Sequence, residues 1–205
     1  TEAINLVAHA WGRANLTKDD AIVLTEMEHH SDIVPWQLLA EERGVEIRYV
    51  PVLDDYSLDM EVYEASLEGA QLVCVVHTSN VLGVRNPLET IIQLAHDAGA
   101  KVLIDAAQGV PHDRIDFDAF GPDFMAFSAH KMCGPTGIGA LLVRPDVFEE
   151  MEPFMGGGDM IQTVTTEGST YQTNEHKFEA GTPRIAEAIG WDAGVGWMEP
   201  VSYTH

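Results

Sequence analysis

The sequence is poor in cysteine, poor in lysine and poor in positive charge of any kind, and it has no long apolar stretch. Its two cysteines, Cys74 and Cys133, cannot build a disulfide framework. Cys74 sits inside an apolar run of the sort that fills a core, so cysteine usage points to a reducing compartment, and we expect a cytoplasmic protein. The apolar runs are strand-sized and fall short of a bilayer span. The chain opens on an amphipathic helical pattern rather than a secretory signal. Basic residues number 11 against 33 acidic ones, for a net charge of -22. Such a field repels nucleic acid and anionic membrane, so neither is expected as a partner. An ordinary acidic protein accounts for the charge. So does adaptation to a salt-rich cytoplasm, since only four of the basic residues are lysines. Internal repeats and low-complexity tracts are absent. Thr1 and Glu2 enter the first helical pattern without an initiator methionine, so the chain reads as a fragment, at least at this end.

With 205 residues and 45% hydrophobic content, the chain can bury the core of one large domain, or of one domain with a short appendage. Helical apolar spacing recurs at residues 4–11, 33–40, 58–65, 88–98 and, weakened by glycines, 187–198. Short apolar or β-rich runs lie between them at 21–24, 45–52, 72–76, 102–104, 124–127 and 139–143. Fully apolar runs such as 72–76 mark strands buried on both faces. The alternation predicts an α/β fold with three α/β/α layers and a mostly parallel sheet. We expect residues 1–190 to form the large domain and 191–205 a truncated or divergent tail. Residues 156–181 are rich in Gly, Thr and Gln and predict a long loop with a short strand pair.

In open α/β sheets the ligand sits beyond the carboxyl ends of the strands. The residues just past each apolar run are Glu28, His29 and His30, then His77, Ser79 and Asn80, then Asp105 and Gln108, then Ser128, His130 and Lys131. Ionisable and polar groups therefore collect at every expected strand mouth. Lys131 follows a buried run and precedes the turn Gly134-Pro135-Thr136-Gly137. Partial burial frees a lysine amine as a nucleophile toward a carbonyl. A surface lysine at a turn is the plainer reading. However, the other three, Lys18, Lys101 and Lys177, lack a neighbouring Ser and His suited to a phosphate. Asp105 ends an apolar strand, where a carboxylate needs a partner. That partner can be the N-terminus of a following helix, or the protonated pyridine nitrogen of pyridoxal 5'-phosphate (PLP). Gln108 would lie over the same mouth, within reach of the ring hydroxyl. His29 can stack on a ring or carry a proton, and it can equally face solvent. Nine histidines raise the question of a metal, but no helix carries a His-x-x-x-His pair. The side chains of adjacent His29 and His30 should also diverge, so no metal is expected.

Five motifs then occur in order: Glu28-His29-His30-Ser31, Thr78-Ser79-Asn80-Val81-Leu82-Gly83, Asp105-Ala106-Ala107-Gln108, Ser128-Ala129-His130-Lys131 and Phe178-Glu179-Ala180-Gly181-Thr182-Pro183. Over residues 1 to about 190 the chain resembles the SUF-type cysteine desulfurases, a branch of the class V aminotransferase family of fold type I PLP enzymes. The stretches Val34-Pro35-Trp36 and Gly156-Gly157-Gly158-Asp159-Met160-Ile161 favour that branch. The resemblance implies that Lys131 is the Schiff-base lysine and His29 the ring-stacking, acid-base histidine. Asp105 would hold the ring nitrogen and Gln108 the ring hydroxyl. Ser128, His130 and Thr1 would bind the phosphate, with Asn80 near substrate and ring. Thr182 would reach the phosphate of a neighbouring subunit, which implies a homodimer. The activity implied is removal of sulfur from L-cysteine to give L-alanine and an enzyme persulfide, passed to an acceptor protein for iron–sulfur cluster assembly. Selenocysteine lyase, an epimerase-like enzyme or an aminotransferase share the same site, and a non-catalytic truncated copy is the alternative outside catalysis. The family also has an N-terminal stretch and a smaller C-terminal domain that find no match in this sequence. The sulfur-accepting cysteine and the substrate-carboxylate arginine are expected in those parts. Cys133, two residues past Lys131 in a tight turn, is not their substitute.

Overall fold

The structure, a computed structural model, describes residues 1–198. The tail from Glu199 to His205, for which the motifs gave no expectation, lies outside the described residues. Six strands form one sheet: β1 (Ala21–Thr25), β2 (Glu46–Val50), β3 (Ala70–Val76), β4 (Lys101–Asp105), β5 (Phe124–Ser128) and β6 (Gly139–Val143). Their order is β2-β1-β3-β4-β5-β6. All neighbours are parallel except β5 and β6. The expected mostly parallel sheet is therefore present, with a strand in it from each of the six apolar or β-rich runs between residues 21 and 143.

Side chains alternate across the central strands. Val23, Val73, Val75, Val102, Ile104 and Met125 enter one buried cluster. Ile22, Leu24, Leu72, Cys74, Leu103 and Phe124 enter the other. That alternation is why these strands read as unbroken apolar runs: both faces are covered. Over the first face lie α4 (Met60–Ser66) and α5 (Leu88–Asp97). In α5 the residues Leu88, Ile91, Ile92 and Ala95 are all buried, the stripe of an amphipathic helix. Over the second face lie α3 (Val34–Arg43) and a continuous N-terminal helical segment. That segment consists of α1 (Glu2–Leu6), a wider π-helical turn (Val7–Gly12) and α2 (Arg13–Asn15). Gly12 abuts α3 so closely that a Cβ there would lie 2.7 Å from Leu39 Cδ2.

One helix start differs from expectation for a local reason. The helix expected from residue 58 starts at Met60, because the Asp59 carboxylate accepts the Glu61 and Val62 N–H groups. Leu58 is used instead in a bridge to Val52. Two helices of four residues each, α6 (Phe117–Phe120) and α7 (Pro145–Phe148), were not anticipated. The expected loop at 156–181 carries the short antiparallel pair β7 (Ile161–Val164) and β8 (Ser169–Tyr171). The last helix, α8 (Ile185–Met198), crosses the boundary expected near residue 190.

Strand order reverses between β1 and β3, since β2 lies on one side of β1 and β3 on the other. Such a switch point opens a crevice at the carboxyl edge. Because β1, β3, β4 and β5 run in one direction, their carboxyl ends share that edge.

Candidate active site

At the switch point the turn after β1 folds back onto the sheet. Glu28 Oε1 accepts the Thr25 hydroxyl at 2.6 Å and the backbone N–H of Val76 at 2.9 Å. The carboxyl group thereby continues the ladder where β1 has run out. His29 follows directly and is exposed at the mouth. Its Nδ1 accepts the Ser31 N–H at 3.2 Å and lies 2.8 Å from Ser31 Oγ. A ring nitrogen that accepts a backbone N–H carries no proton, which assigns the ring proton to Nε2. The His29 and His30 rings lie 5.7 Å apart with an interplanar angle of 36°. The divergence expected of adjacent side chains is thus not found, because the 3-10 turn His30–Asp32 keeps the rings together.

Asp105, the last residue of β4, pairs in register with Val76 on one side and Ala126 on the other. It is 5% exposed. One carboxylate oxygen accepts the Ala107 N–H at 2.9 Å, a local turn contact. Among the described residues it has no ion-pair partner. A buried carboxylate without a cation is costly, so its position fits a cationic group supplied from outside. Gln108 lies half-buried in the turn that follows. His77, buried beneath that turn, donates its backbone N–H to the Asp105 carbonyl at 2.9 Å. The ring of His77 lies so near Gly109 that a Cβ there would meet its Nδ1 at 2.6 Å.

From β5 the chain runs through Ser128 into a 3-10 turn, Ala129–Lys131. Both Met132 N–H and Gly134 N–H bond the Ala129 carbonyl at 2.9 Å, which ties the Lys131 turn down. Ser128 and Lys131 are half-buried and His130 is exposed. Lys131 has no ion pair among the described residues, and the other lysines are placed elsewhere. Lys101 begins β4, at the opposite edge of the sheet, and pairs with Glu150 at 3.4 Å. Lys177 donates to the Met151 carbonyl at 2.9 Å and lies over the Phe148 and Phe178 rings. Lys18 packs against Gly44 just before β1 begins.

Parallel topology thus brings His29, Asp105, Gln108, Ser128, His130 and Lys131 to one edge, although the sequence spreads them over about a hundred positions. Thr1 stands at the N-cap position of α1 without a side-chain cap bond, and the N-terminal helical segment leads into the amino end of β1, so its start points toward the same edge. Asn80 is exposed in the loop after β3. Thr182 is exposed and has no side-chain hydrogen bond among the described residues. Arg184, two residues on, lies beside Gly137 of the turn that follows Lys131. Asp32 was not singled out by sequence, and Glu28 stood out only as a residue at the mouth of β1, not as one of a pair. The available signal was two acids four residues apart, flanking the histidine pair immediately after a buried strand. Among the described residues no group of three or more His, Cys, Asp or Glu side chains is placed to hold a metal. No helix among them is long and apolar enough to cross a membrane. A shallow acidic depression lined by Glu64, Glu68 and Asp97 lies near the start of β3, away from this edge.

The domain is thus a three-layer α/β/α domain with ionisable residues gathered at its carboxyl edge, among them a lysine without an ion pair among the described residues. The class V aminotransferase family model matches residues 1–205, and the chain belongs to that family. It is 47% identical over 202 residues to a cysteine desulfurase of Haloferax volcanii, covering 98% of this chain and 47% of that protein. It is 50% identical over 199 residues to a probable cysteine desulfurase of Synechocystis, covering 97% of this chain and 47% of that protein. Among solved structures, the cysteine desulfurase CsdA of Escherichia coli superposes with a TM-score of 0.95 at 36% identity, over 98% of this chain and 51% of that one. A cysteine desulfurase from Thermococcus onnurineus superposes with a TM-score of 0.94 at 40% identity, over 98% of this chain and 50% of that one. The architecture is that of the large domain of fold type I PLP-dependent transferases. The chain spans about half the length of the curated relatives it matches.

Proposed function

We propose that this chain is the PLP-binding large domain of a cysteine desulfurase. The observation that carries the reading is the pairing of two unsatisfied charges at one edge. Among the described residues, the buried Asp105 has no cationic partner, and Lys131, beyond the end of the adjacent strand, has no anionic one. A PLP molecule fits both, since its pyridinium nitrogen asks for a carboxylate and its aldehyde for an amine. When bound, PLP supplies an electron sink for breaking bonds at the Cα of an amino acid.

The residues divide the remaining work. Asp105 holds a proton on the ring nitrogen, and the Ala107 N–H fixes the carboxylate for that contact. Gln108 bonds the ring hydroxyl. His29 stacks on the ring and can move a proton at Nε2, because Ser31 occupies Nδ1. Lys131 supplies the nucleophilic amine. Ser128, His130 and Thr1 bind the phosphate, the last at a helix N-terminus where N–H groups and the dipole favour an anion. Asn80 lies near the substrate, and Thr182 serves the phosphate of a second subunit in a homodimer. In the reaction the Cβ–S bond of L-cysteine breaks, L-alanine leaves, and the sulfur joins a cysteine thiol as a persulfide for iron–sulfur cluster assembly. No residue of this chain is assigned as that thiol or as the arginine that binds the substrate carboxylate. A cytoplasmic setting, an acceptor protein for the persulfide and the SUF-type branch belong to the same reading. So does L-selenocysteine as an alternative substrate.

Adding PLP to the chain should produce a yellow species with visible absorption, and the protein that also carries the acceptor thiol and the carboxylate-binding arginine should convert L-cysteine to alanine in the presence of a thiol reductant. A chain that stays colourless in excess PLP rules out the cofactor reading. Colour accompanied by transamination or racemisation in place of alanine moves the protein to another class V activity.

A further inference from the structure

Two buried acids stand beside the site without a part in the chemistry above. Glu28 is 7% exposed and Asp32 is fully buried. One oxygen of each is engaged: Glu28 Oε1 by Thr25 and the Val76 N–H, and Asp32 Oδ1 by the Trp36 indole N–H at 2.9 Å. The other oxygens, Glu28 Oε2 and Asp32 Oδ2, are buried with no hydrogen-bond donor among the described residues. The two carboxyl groups lie within hydrogen-bonding reach of each other. Around them β1 presents Thr25, α3 presents Trp36, β3 presents Cys74 and β4 presents Asp105. No lysine or arginine is among the groups acting on either acid. Two ionised carboxylates cannot share such a place, whereas one proton closes both orphaned oxygens, the O–H of one acid donating to the other.

The position gives that proton a mechanical consequence. Glu28 crosses the switch point to Val76, the register partner of Asp105. The Asp32 N–H bonds the His29 carbonyl at 2.7 Å. His29 therefore lies between Glu28, whose carboxyl is anchored on β1 and β3, and Asp32, whose backbone N–H holds the His29 carbonyl. We propose that Glu28 and Asp32 share a single proton, and that this proton latches the His29 segment onto the sheet mouth, making the pair a positioning device for the PLP site. This rests on the cofactor reading above. Burial, and then the charge of Asp105 on both and of Glu28 on Asp32, push both carboxyls well above the usual carboxylate range, so the pair keeps its proton at neutral pH. When base removes that proton to solvent, two anions face each other and the segment comes free.

Infrared spectra of the cofactor-free chain in heavy water test the shared proton by itself. A protonated carboxylic-acid carbonyl band is expected near neutral pH, lost in both Glu28→Gln and Asp32→Asn, where an amide N–H takes the place of the acid O–H. Absence of that band in the parent overturns the proposal whatever PLP does. PLP retention, measured by equilibrium dialysis from neutral to alkaline pH, tests the latch. Above the loss of the shared proton the parent should weaken by about tenfold per pH unit, the slope of a one-proton linkage. Glu28→Gln should show a shallower dependence, because its latch does not ionise. Identical slopes in the two proteins overturn the latch. If the parent retains no PLP at any pH, the cofactor reading fails and the latch with it, while the infrared result still decides the shared proton.

Discussion

Gly194 of α8 lies against the Cys133 carbonyl so closely that a Cβ added there would sit 2.6 Å from its oxygen. One turn earlier, Gly190 packs on Pro135, and Trp191 between them lies against Gly134 and edge-on to Phe127 at 5.9 Å. The last helix therefore rests on the turn that follows Lys131. Cys133 itself takes a positive φ of 60°, which the close packing holds in place. Gly194→Ala must push backbone against backbone. It should cost about 1–3 kcal/mol, read as a lower urea midpoint. Gly196→Ala meets nothing within 4 Å and is the control. It should be neutral or stabilise by up to about 1 kcal/mol, as removing a helical glycine does. Equal effects at the two positions would contradict this packing.

Lys131→Ala should abolish the covalent pyridoxyl label that borohydride fixes on the parent protein. The remaining lysines cannot stand in. Lys101 is at the opposite edge, Lys18 precedes β1, and Lys177 is held by two carbonyls and two aromatic rings. PLP should still bind noncovalently through Asp105, Ser128 and His130. Peptide mapping of the reduced protein reads the site directly. A label that survives in the variant would remove Lys131 from its proposed role.

Much of this site was legible because it lies at strand ends. Strands covered on both faces leave apolar runs such as 72–76, and each run points at the residue that follows it, so Asp105 and Lys131 stood out before any geometry was known. The Glu28–Asp32 pair did not stand out. Whether two acids four residues apart meet or face away depends on the turn between them, and here Thr25, Val76 and Trp36 from three separate elements decide it. The short helices α6 and α7 stayed hidden because four residues show no period. The glycines of α8 read as weakening a helix, whereas Gly190 and Gly194 are its contact positions.

Thr182 is exposed, with no side-chain hydrogen bond among the described residues. If it serves the phosphate of a second subunit, PLP retention should depend on protein concentration. Dilution through the dissociation range should then release cofactor by mass action. At high concentration, Thr182→Ala should weaken retention by about tenfold, the loss of one hydrogen bond to a charged group. Retention independent of concentration, together with an unaffected Thr182→Ala, would remove the shared site.

His77 should make the fold sensitive to acid. The residue is 2% exposed beneath the Asp105–Gln108 turn, with Nδ1 2.8 Å from Thr78 Oγ1. Burial, and then the nearby Arg85 charge, pull its pKa below the ordinary histidine value, against smaller opposing effects of Asp113 and Glu89. The unfolded chain therefore takes up this proton before the folded one does. The stability that a neutral His77 contributes is complete above the ordinary value of about 6.5 and is lost as pH falls through the lowered folded value. The urea midpoint should accordingly drop below that pH, and His77→Gln, which cannot take up the proton, should drop less. PLP retention should weaken over the same acid range, because a protonated ring pressed against Gly109 disturbs the turn that carries Gln108. An acid-side loss of the same size in His77→Gln would assign the sensitivity to another group.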